Sequence, residues 1–222
     1  REVDPNDRRA RLLFLTPGAG GDWFSETPAE FPPAGNEWHA AATHPANPLV
    51  MSLSDKNHGL IFRSADAGAS WRRVYAQAGV DGTAGRAHGA KELIILDASE
   101  TVYAGFAQSG LFTDPARPIV PSYGVLKSAD GGATWNAKNN GLGGTSLDIV
   151  ALVVAPTNNA VLFAGVRGAG IFKTVNAGEA WTNVTGSIGG AGGMFALAVS
   201  PTDANTVFAG TQGGGLYKST DC

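Results

Sequence analysis

Ser128-Ala-Asp130-Gly-Gly132-Ala-Thr134-Trp135 is one copy of a cassette, Ser-x-Asp-x-Gly-x-Thr-Trp, that recurs along the chain. The other copies keep its spacing and differ in a few residues: Ser64-Ala-Asp66-Ala-Gly68-Ala-Ser70-Trp71, Thr174-Val-Asn176-Ala-Gly178-Glu-Ala180-Trp181, and Ser219-Thr220-Asp221 at the end of the sequence. The first positions of these copies stand 64, 46 and 45 residues apart. A period of this size is typical of repeat architectures, in which each unit buries its apolar faces against its neighbours.

An apolar pair and a basic residue stand directly before every cassette. The triplets are Ile61-Phe62-Arg63, Val125-Leu126-Lys127, Ile171-Phe172-Lys173 and Leu216-Tyr217-Lys218. Alternation of this kind predicts a half-buried strand. Upstream of it, segments such as Val207-Phe-Ala-Gly210 predict a second strand, and the apolar runs Ile149–Ala155 and Met194–Val199 predict a strand buried on both faces.

The fourth strand of each repeat is predicted to begin at the tryptophan of the cassette. Antiparallel four-stranded units repeated at this period predict an all-β fold, a β-propeller with three complete and two partial blades. A faded cassette over Thr16–Trp23 extends the pattern toward the N-terminus. The predicted division of this single propeller segment is 12–37 (partial blade), 38–78, 88–142 with a loop insertion at 107–123, 147–188, and 192–222 (partial blade).

Both ends of the sequence fall at the same point in the repeat. We therefore expect a segment of a larger propeller, with a closed four-bladed ring as the alternative. Exposed blade edges invite pairing with other chains, so subunits of an assembly are expected to cover them.

Composition excludes several classes of partner. The net charge of -3 and the pI near 5.8 provide no basic surface for nucleic acid. No apolar run approaches the ~20 residues that span a membrane. Cys222 is the only cysteine, so no disulfide framework is predicted. His39 and His44 stand five residues apart on a predicted strand and would point to opposite faces, so neither a metal site nor a cofactor is expected.

The cassette residues suit a structural turn. Ser, Thr and Asp side chains can hydrogen-bond the backbone of their own turn, the glycine permits a positive φ, and the tryptophan offers a large face to pack between blades. A calcium site is excluded, because each turn offers one carboxylate where the ion takes 6–8 oxygen ligands. The predicted structural residues are Ser64, Asp66, Gly68, Trp71, Ser128, Asp130, Gly132, Trp135, Thr174, Asn176, Gly178, Trp181, Ser219 and Asp221.

From about Leu12 to Asp221 the chain resembles the Asp-box, or BNR, repeat. That repeat is found in sialidases, xyloglucan-active glycoside hydrolases, sortilin-type receptors and photosystem assembly factors. The resemblance implies a propeller fold and leaves the function open, because enzymes and non-enzymes share the motif.

This sequence does not match the catalytic and substrate-binding motifs of the enzymes in these families. The xyloglucan-active family carries a catalytic acid in a Thr-Asp-x-Gly-Gly segment, and the matching Thr211-Gln212-Gly213-Gly214 has a glutamine at that position. Arg167 and Asn57 take the corresponding place in other repeats, and Arg117-Pro118-Ile119 reverses the Arg-Ile-Pro order of sialidases. Glycoside hydrolysis needs two carboxylates. Their candidates are Asp55, Asp81, Asp114 and Asp148, should distant loops converge.

Variable loops at the end of the blades opposite the cassettes are the predicted binding surface. The predicted contact residues are Arg167, Gln212, His58, Tyr123 and Arg117. We therefore expect a non-catalytic binding or scaffolding module, secreted or periplasmic, that recognises a glycan or a protein. The alternative is a part of a glycoside hydrolase, sialidase-like or xyloglucanase-like, whose catalytic acids lie partly outside this segment.

Overall fold

The computed structural model shows an all-β chain built from antiparallel sheets. It describes residues 12–15, 23–26, 38–55, 59–76, 88–96, 100–108, 123–143, 147–188 and 193–222. Within these ranges no helix is long and apolar enough to span a membrane. The predicted fold class, a β-propeller with three complete and two partial blades, is confirmed.

The first two sheets are a two-stranded partial blade and a four-stranded blade, here called blade 1 and blade 2. Blade 1 consists of β1 (Leu12–Leu15) and β2 (Trp23–Glu26). Blade 2 consists of β3 (Trp38–Thr43), β4 (Met51–Asp55), β5 (Leu60–Ser64) and β6 (Arg72–Ala76).

Two further four-stranded sheets and one three-stranded sheet follow as blades 3, 4 and 5. Blade 3 contains β7 (His88–Leu96), β8 (Thr101–Gln108), β9 (Val125–Ser128) and β10 (Asn136–Ala137). Blade 4 contains β11 (Ile149–Ala155), β12 (Asn158–Val166), β13 (Gly170–Thr174) and β14 (Thr182–Asn183). Blade 5 contains β15 (Met194–Val199), β16 (Val207–Thr211) and β17 (Gly215–Ser219).

Blades 2 to 5 pack face to face in succession, and their first strands contact one another from β3 to β7, β11 and β15. One apolar cluster joins Tyr103 and Val125 of blade 3 to Leu162, Phe172 and Trp181 of blade 4. Similar clusters join blade 2 to blade 3 and blade 4 to blade 5. The core therefore lies between the sheets, as expected where no unit can bury its faces alone.

The cassettes form the predicted turns. In blade 3, Ser128 Oγ donates to Asp130 Oδ1 at 2.8 Å and accepts from the Gly132 amide at 2.7 Å. Asp130 also accepts from the amide and the hydroxyl of Thr134. The Ser64 turn repeats this network. The Thr174 turn repeats it without the hydroxyl bond, because Ala180 takes the place of Thr134, and Asn176 Oδ1 replaces the carboxylate oxygen. Asn176 therefore preserves the turn without a charge.

The glycines at the fifth cassette position adopt the predicted positive φ, +89° at Gly68 and +92° at Gly132. The preceding position does so too: Ala67 has φ 59° and Ala177 has φ 57°. This positive φ was not predictable from the alanine residues, because alanine rarely adopts that region. At this position the amide binds the adjacent hairpin, as in Ala67 N–H to the Leu49 carbonyl at 2.9 Å. Cassette turns and the turns between first and second strands thus share one end of the blades.

The cassette tryptophans of blades 3 and 4 lie between blades, whereas Trp71 packs on residues of its own blade. Trp181 Nε1 donates to the Lys138 carbonyl of blade 3 at 2.8 Å, and Trp135 Nε1 donates to the Val74 carbonyl of blade 2 at 3.2 Å. Each indole therefore joins its own blade to the preceding one by packing and by one hydrogen bond.

The prediction that Met194–Val199 is buried on both faces is wrong. Ala196 and Ala198 are exposed, whereas Ile149–Ala155 of blade 4 is mostly buried. The difference arises because blade 5 packs against blade 4 on one face and against no later described strand on the other. In the predicted insertion 107–123, β8 extends to Gln108, and 109–122 lie outside the described residues.

Acid should weaken the Asp66 and Asp130 turns. Hydrogen bonds from the Ser70 and Thr134 side chains, joined by backbone amides, lower the pKa of Asp66 and Asp130 to about 2. In the unfolded chain an aspartate has a pKa of about 3.9. The unfolded state therefore binds protons first, and the stabilisation, complete above about pH 4, is lost as the pH falls to about 2.

We expect an Asp66→Asn/Asp130→Asn double variant to lose part of this pH dependence, because an amide maintains the same turn at Asn176. Urea midpoints measured between about pH 5 and pH 2 should fall less steeply in the variant than in the wild type. Parallel curves for the two proteins would refute the role given to these carboxylates.

Candidate functional site

The ends of the blades opposite the cassette turns carry most of the predicted contact residues, and we call this surface the loop end. It includes the hairpin connections from β12 to β13 and from β16 to β17, closed by Val166–Gly170 and Thr211–Gly215 pairs. Because successive blades repeat one topology, their hairpins present side chains at matching positions.

Arg167 and Gln212 occupy one such matching position in blades 4 and 5. The Arg167 amide donates to the Asp148 carbonyl at 2.9 Å, and the Gln212 amide donates to the Gly193 carbonyl at 2.7 Å. Each bond ties the hairpin to the residue at the start of its blade. Both side chains are exposed. The structure therefore places two predicted contact residues at equivalent, exposed positions of neighbouring blades.

Arg167 has a fixed ionic partner. Its Nε lies 3.6 Å from Asp148 Oδ2, and 51% of the arginine side chain is exposed against 3% for the aspartate. The carboxylate is thus enclosed while the guanidinium reaches solvent. A guanidinium presents five N–H donors in a plane. Asp148 therefore orients the Arg167 guanidinium on its buried side, and the remaining N–H groups can donate to a ligand in solvent.

Of the candidate catalytic acids, the structure describes Asp55 and Asp148, and neither carboxylate is exposed to a substrate. Asp55 and Asp148 are both buried and both have interaction partners. A general acid or a nucleophile must reach its substrate, and enclosed, partnered carboxylates do not offer this. Asp81 and Asp114 lie outside the described residues. Within the described part of the chain, no three His, Cys, Asp or Glu side chains are grouped to hold a metal ion.

Tyr123 is half buried and packs on Phe106, with ring centroids 6.2 Å apart and an edge-to-face angle of 62°. Only part of its ring is therefore open to a ligand. The other predicted contacts, His58 and Arg117, lie outside the described residues, as does Asn57.

His44, predicted to lie on a strand, follows β3 instead. Its Nδ1 accepts from the amides of Ala46 and Asn47 at 3.1 and 2.9 Å, so it stabilises a turn.

Asn139 is a supporting residue that the sequence analysis missed. Its Oδ1 accepts from the Val125 amide and its Nδ2 donates to the Tyr123 carbonyl, both at 2.8 Å. In blade 4, Thr185 Oγ1 accepts from the Ile171 amide at 2.9 Å in the same way. The sequence signal for this role was a polar residue four positions after the tryptophan in blades 3 and 4.

No protein-family model and no curated protein matches this chain. Among solved structures, one described as an ancestral GH74 enzyme is similar with a TM-score of 0.55 and 17% identity, over 78% of this chain and 21% of its own. A putative gluconolactonase has a TM-score of 0.55 and 13% identity, over 91% of this chain and 68% of its own. The computationally designed Ika4 protein has a TM-score of 0.50 and 14% identity, over 81% and 90%.

These comparisons concern the fold alone. This chain spans about a fifth of the length of the ancestral GH74 enzyme, at 17% identity. Fold similarity at this level does not transfer a site or an activity. The chain has the β-propeller fold.

Proposed function

We propose that this chain is a non-catalytic binding module that holds a glycan at its loop end, with Arg167 and Gln212 as contacts. The observation that carries the proposal is their exposure at matching positions of neighbouring blades, with Arg167 held beside the enclosed carboxylate of Asp148. An arginine and an amide side chain supply hydrogen-bond donors, the groups that orient a polar ligand. We also assign the cassettes to the Asp-box class on their sequence and turn geometry.

The absence of a usable acid pair among the described residues favours binding over catalysis. Asp148 is held by Arg167, and Asp55 is fully buried. A retaining or inverting glycosidase places two carboxyl groups on opposite sides of the scissile bond, about 5–10 Å apart. An enzyme containing this segment would therefore have to supply its acids from other residues.

A glycan array followed by titration of the strongest glycan tests the proposal. We expect the wild-type chain to bind and an Arg167→Ala/Gln212→Ala double variant to bind at least about tenfold more weakly, as when central contacts of an interface are removed. The matched control is Glu179→Ala, which removes an exposed side chain at the cassette end and should leave the affinity unchanged.

Three outcomes would contradict this function. Binding that survives the double variant would place the ligand elsewhere. A wild-type chain that binds no glycan, while loop-end variants abolish binding to a protein, would replace the glycan with a protein loop. Hydrolysis of the bound glycan would establish the glycoside hydrolase alternative.

A further inference from the structure

One asparagine of the sequence is followed directly by glycine, in the pair Asn140-Gly141. Both residues are exposed, and they occupy the middle of a turn that the Leu142 amide closes by donating to the Asn139 carbonyl at 3.0 Å. Gly141 has a φ of +85°, as the third residue of a type II turn requires. The turn therefore presents an asparagine side chain to solvent beside a residue that has no Cβ.

The same pair joins blade 3 to blade 4, two blades that each have four strands. The Asn140 carbonyl accepts from the Trp181 amide at 2.9 Å, and Asn140 Nδ2 donates to the Glu179 carbonyl at 3.3 Å. Gly141 lies so close to the Trp181 carbonyl oxygen that a Cβ would overlap it. A change in the backbone between Asn140 and Gly141 would therefore be felt at the contact between the blades.

An asparagine before a glycine is open to attack by its own backbone, because no Cβ hinders the approach of the glycine nitrogen. The Gly141 nitrogen can bond to Asn140 Cγ, losing its proton, while the Cγ–Nδ2 bond breaks and ammonia leaves. The product is a succinimide ring, which water opens at either of its two carbonyls. One opening gives aspartate, and the other gives isoaspartate, in which the main chain runs through the β-carbon. One water is consumed for each ammonia released, and no electrons are transferred.

We propose that Asn140-Gly141 is a site of spontaneous deamidation, and that its isoaspartate product loosens the contact between blades 3 and 4. Water is the only co-reactant. The site converts the age of the folded chain into a change of charge at Asn140 and, in one of the two products, into a change of backbone length. The proposal does not depend on the ligand of the loop end.

The two products should differ in their effect. Aspartate keeps the backbone and loses only the Nδ2 donor to the Glu179 carbonyl, an exposed hydrogen bond. Isoaspartate inserts a methylene into the main chain before Gly141 and turns the former Asn140 carbonyl into a free carboxylate. The acceptor of the Trp181 amide then leaves the main chain, and Gly141 is displaced from its close approach to Trp181. We therefore expect isoaspartate, and not aspartate, to weaken the interface.

Ageing of the full chain in warm, mildly alkaline buffer tests the modification. Trypsin then releases residues 139–167 as one peptide, and an unaged sample is digested in parallel. Mass spectrometry should show an amide converted to an acid at Asn140 before any change at Asn158 or Asn159, which stand before Asn and Ala in the same peptide. Electron-transfer fragmentation distinguishes the isoaspartate form from the aspartate form.

Urea unfolding of the separated forms tests the consequence. Ion exchange resolves the aged forms, because each gains a negative charge, and the isoaspartate fraction should have a lower urea midpoint than the fresh chain. Freshly prepared Asn140→Asp represents the aspartate product and should have a midpoint close to that of the fresh wild type. Asn140→Gln is the control for ageing, because its amide would need a larger ring to form, and its midpoint should not change with age.

Three outcomes would overturn the proposal. If Asn140 kept its amide in the folded chain while a synthetic peptide of residues 136–143 lost it, the fold would protect the site. An isoaspartate fraction with the urea midpoint of the fresh chain would show that the added methylene does not loosen the blades. Equal loss of stability in aged wild type and aged Asn140→Gln would assign the loss to damage elsewhere in the chain.

Discussion

Replacing Trp181 with alanine is expected to lower the free energy of unfolding by about 3–5 kcal/mol, the range for a buried large aromatic. Trp181 is 4% exposed and packs among Tyr103, Val125 and Phe172 of two blades. The substitution leaves a cavity between blades 3 and 4 and removes the indole N–H that donates to the Lys138 carbonyl. Because domains are stable by only about 5–15 kcal/mol, a large part of the total stability should be lost.

Urea unfolding followed by circular dichroism measures this effect without relying on tryptophan emission. Val175→Ala is the matched control, since that side chain lies close in the sequence and is 65% exposed; its change should stay within about 0.5 kcal/mol. Trp181→Phe should be intermediate, because it retains a ring and loses the Nε1–H donor. If Trp181→Ala unfolded within 1 kcal/mol of the wild type, the indole would not hold the blades together.

Gly141→Ala should be nearly as damaging and lower the free energy of unfolding by about 2–5 kcal/mol. Gly141 has a φ of +85°, and a Cβ at this position would overlap the carbonyl oxygen of Trp181 in the next blade. The positive φ alone costs a residue with a Cβ about 1–2 kcal/mol. Overpacking against the Trp181 backbone adds about 1–3 kcal/mol. Neither blade can move apart to relieve it without disturbing the contacts of the Trp181 side chain.

Gly168→Ala separates the free-energy cost of the positive φ from the cost of overpacking. Gly168 has a φ of +74°, similar to that of Gly141, but a Cβ there would meet nothing within 4 Å. Its alanine variant should lose only about 1–2 kcal/mol, the cost of the backbone conformation. Equal losses in the two variants, measured by the same urea titration, would show that close approach of the blades at Gly141 contributes nothing.

The regular parts of the fold were predictable because they depend on local pattern. The strand around Ile171-Phe172-Lys173 was predictable from its apolar pair, and the positive φ of Gly132 follows from its place in the turn. The half-burial predicted for this strand is wrong, because four of its five residues, all but Lys173, are buried between the neighbouring blades. The triplet lysine has a further role that the pattern did not indicate. Lys127 Nζ lies 5.4 Å from the ring centroid of Tyr103 on the neighbouring strand, and Lys173 Nζ lies 5.5 Å from that of Phe163.

Features that depend on the relation between blades were not predictable. The exposure of Ala196 is set by what lies against blade 5, which the sequence of β15 does not encode. The close approach of Gly141 to Trp181 and the pairing of Arg167 with Asp148 join segments whose relative positions follow only from the folded register. Arg167 and Gln212 could be selected as candidates from the repeat alignment, but their neighbouring partners could not.

We propose that the loop end binds a glycan without cleaving it. The most direct test of this proposal exposes the wild-type chain to a glycan array and then incubates the strongest glycan with the protein in solution, with chromatography to detect shorter products. We predict saturable binding and an unchanged glycan, because the described carboxylates Asp55 and Asp148 are enclosed and partnered. Release of a shorter sugar, or the absence of binding to any glycan, would contradict the account.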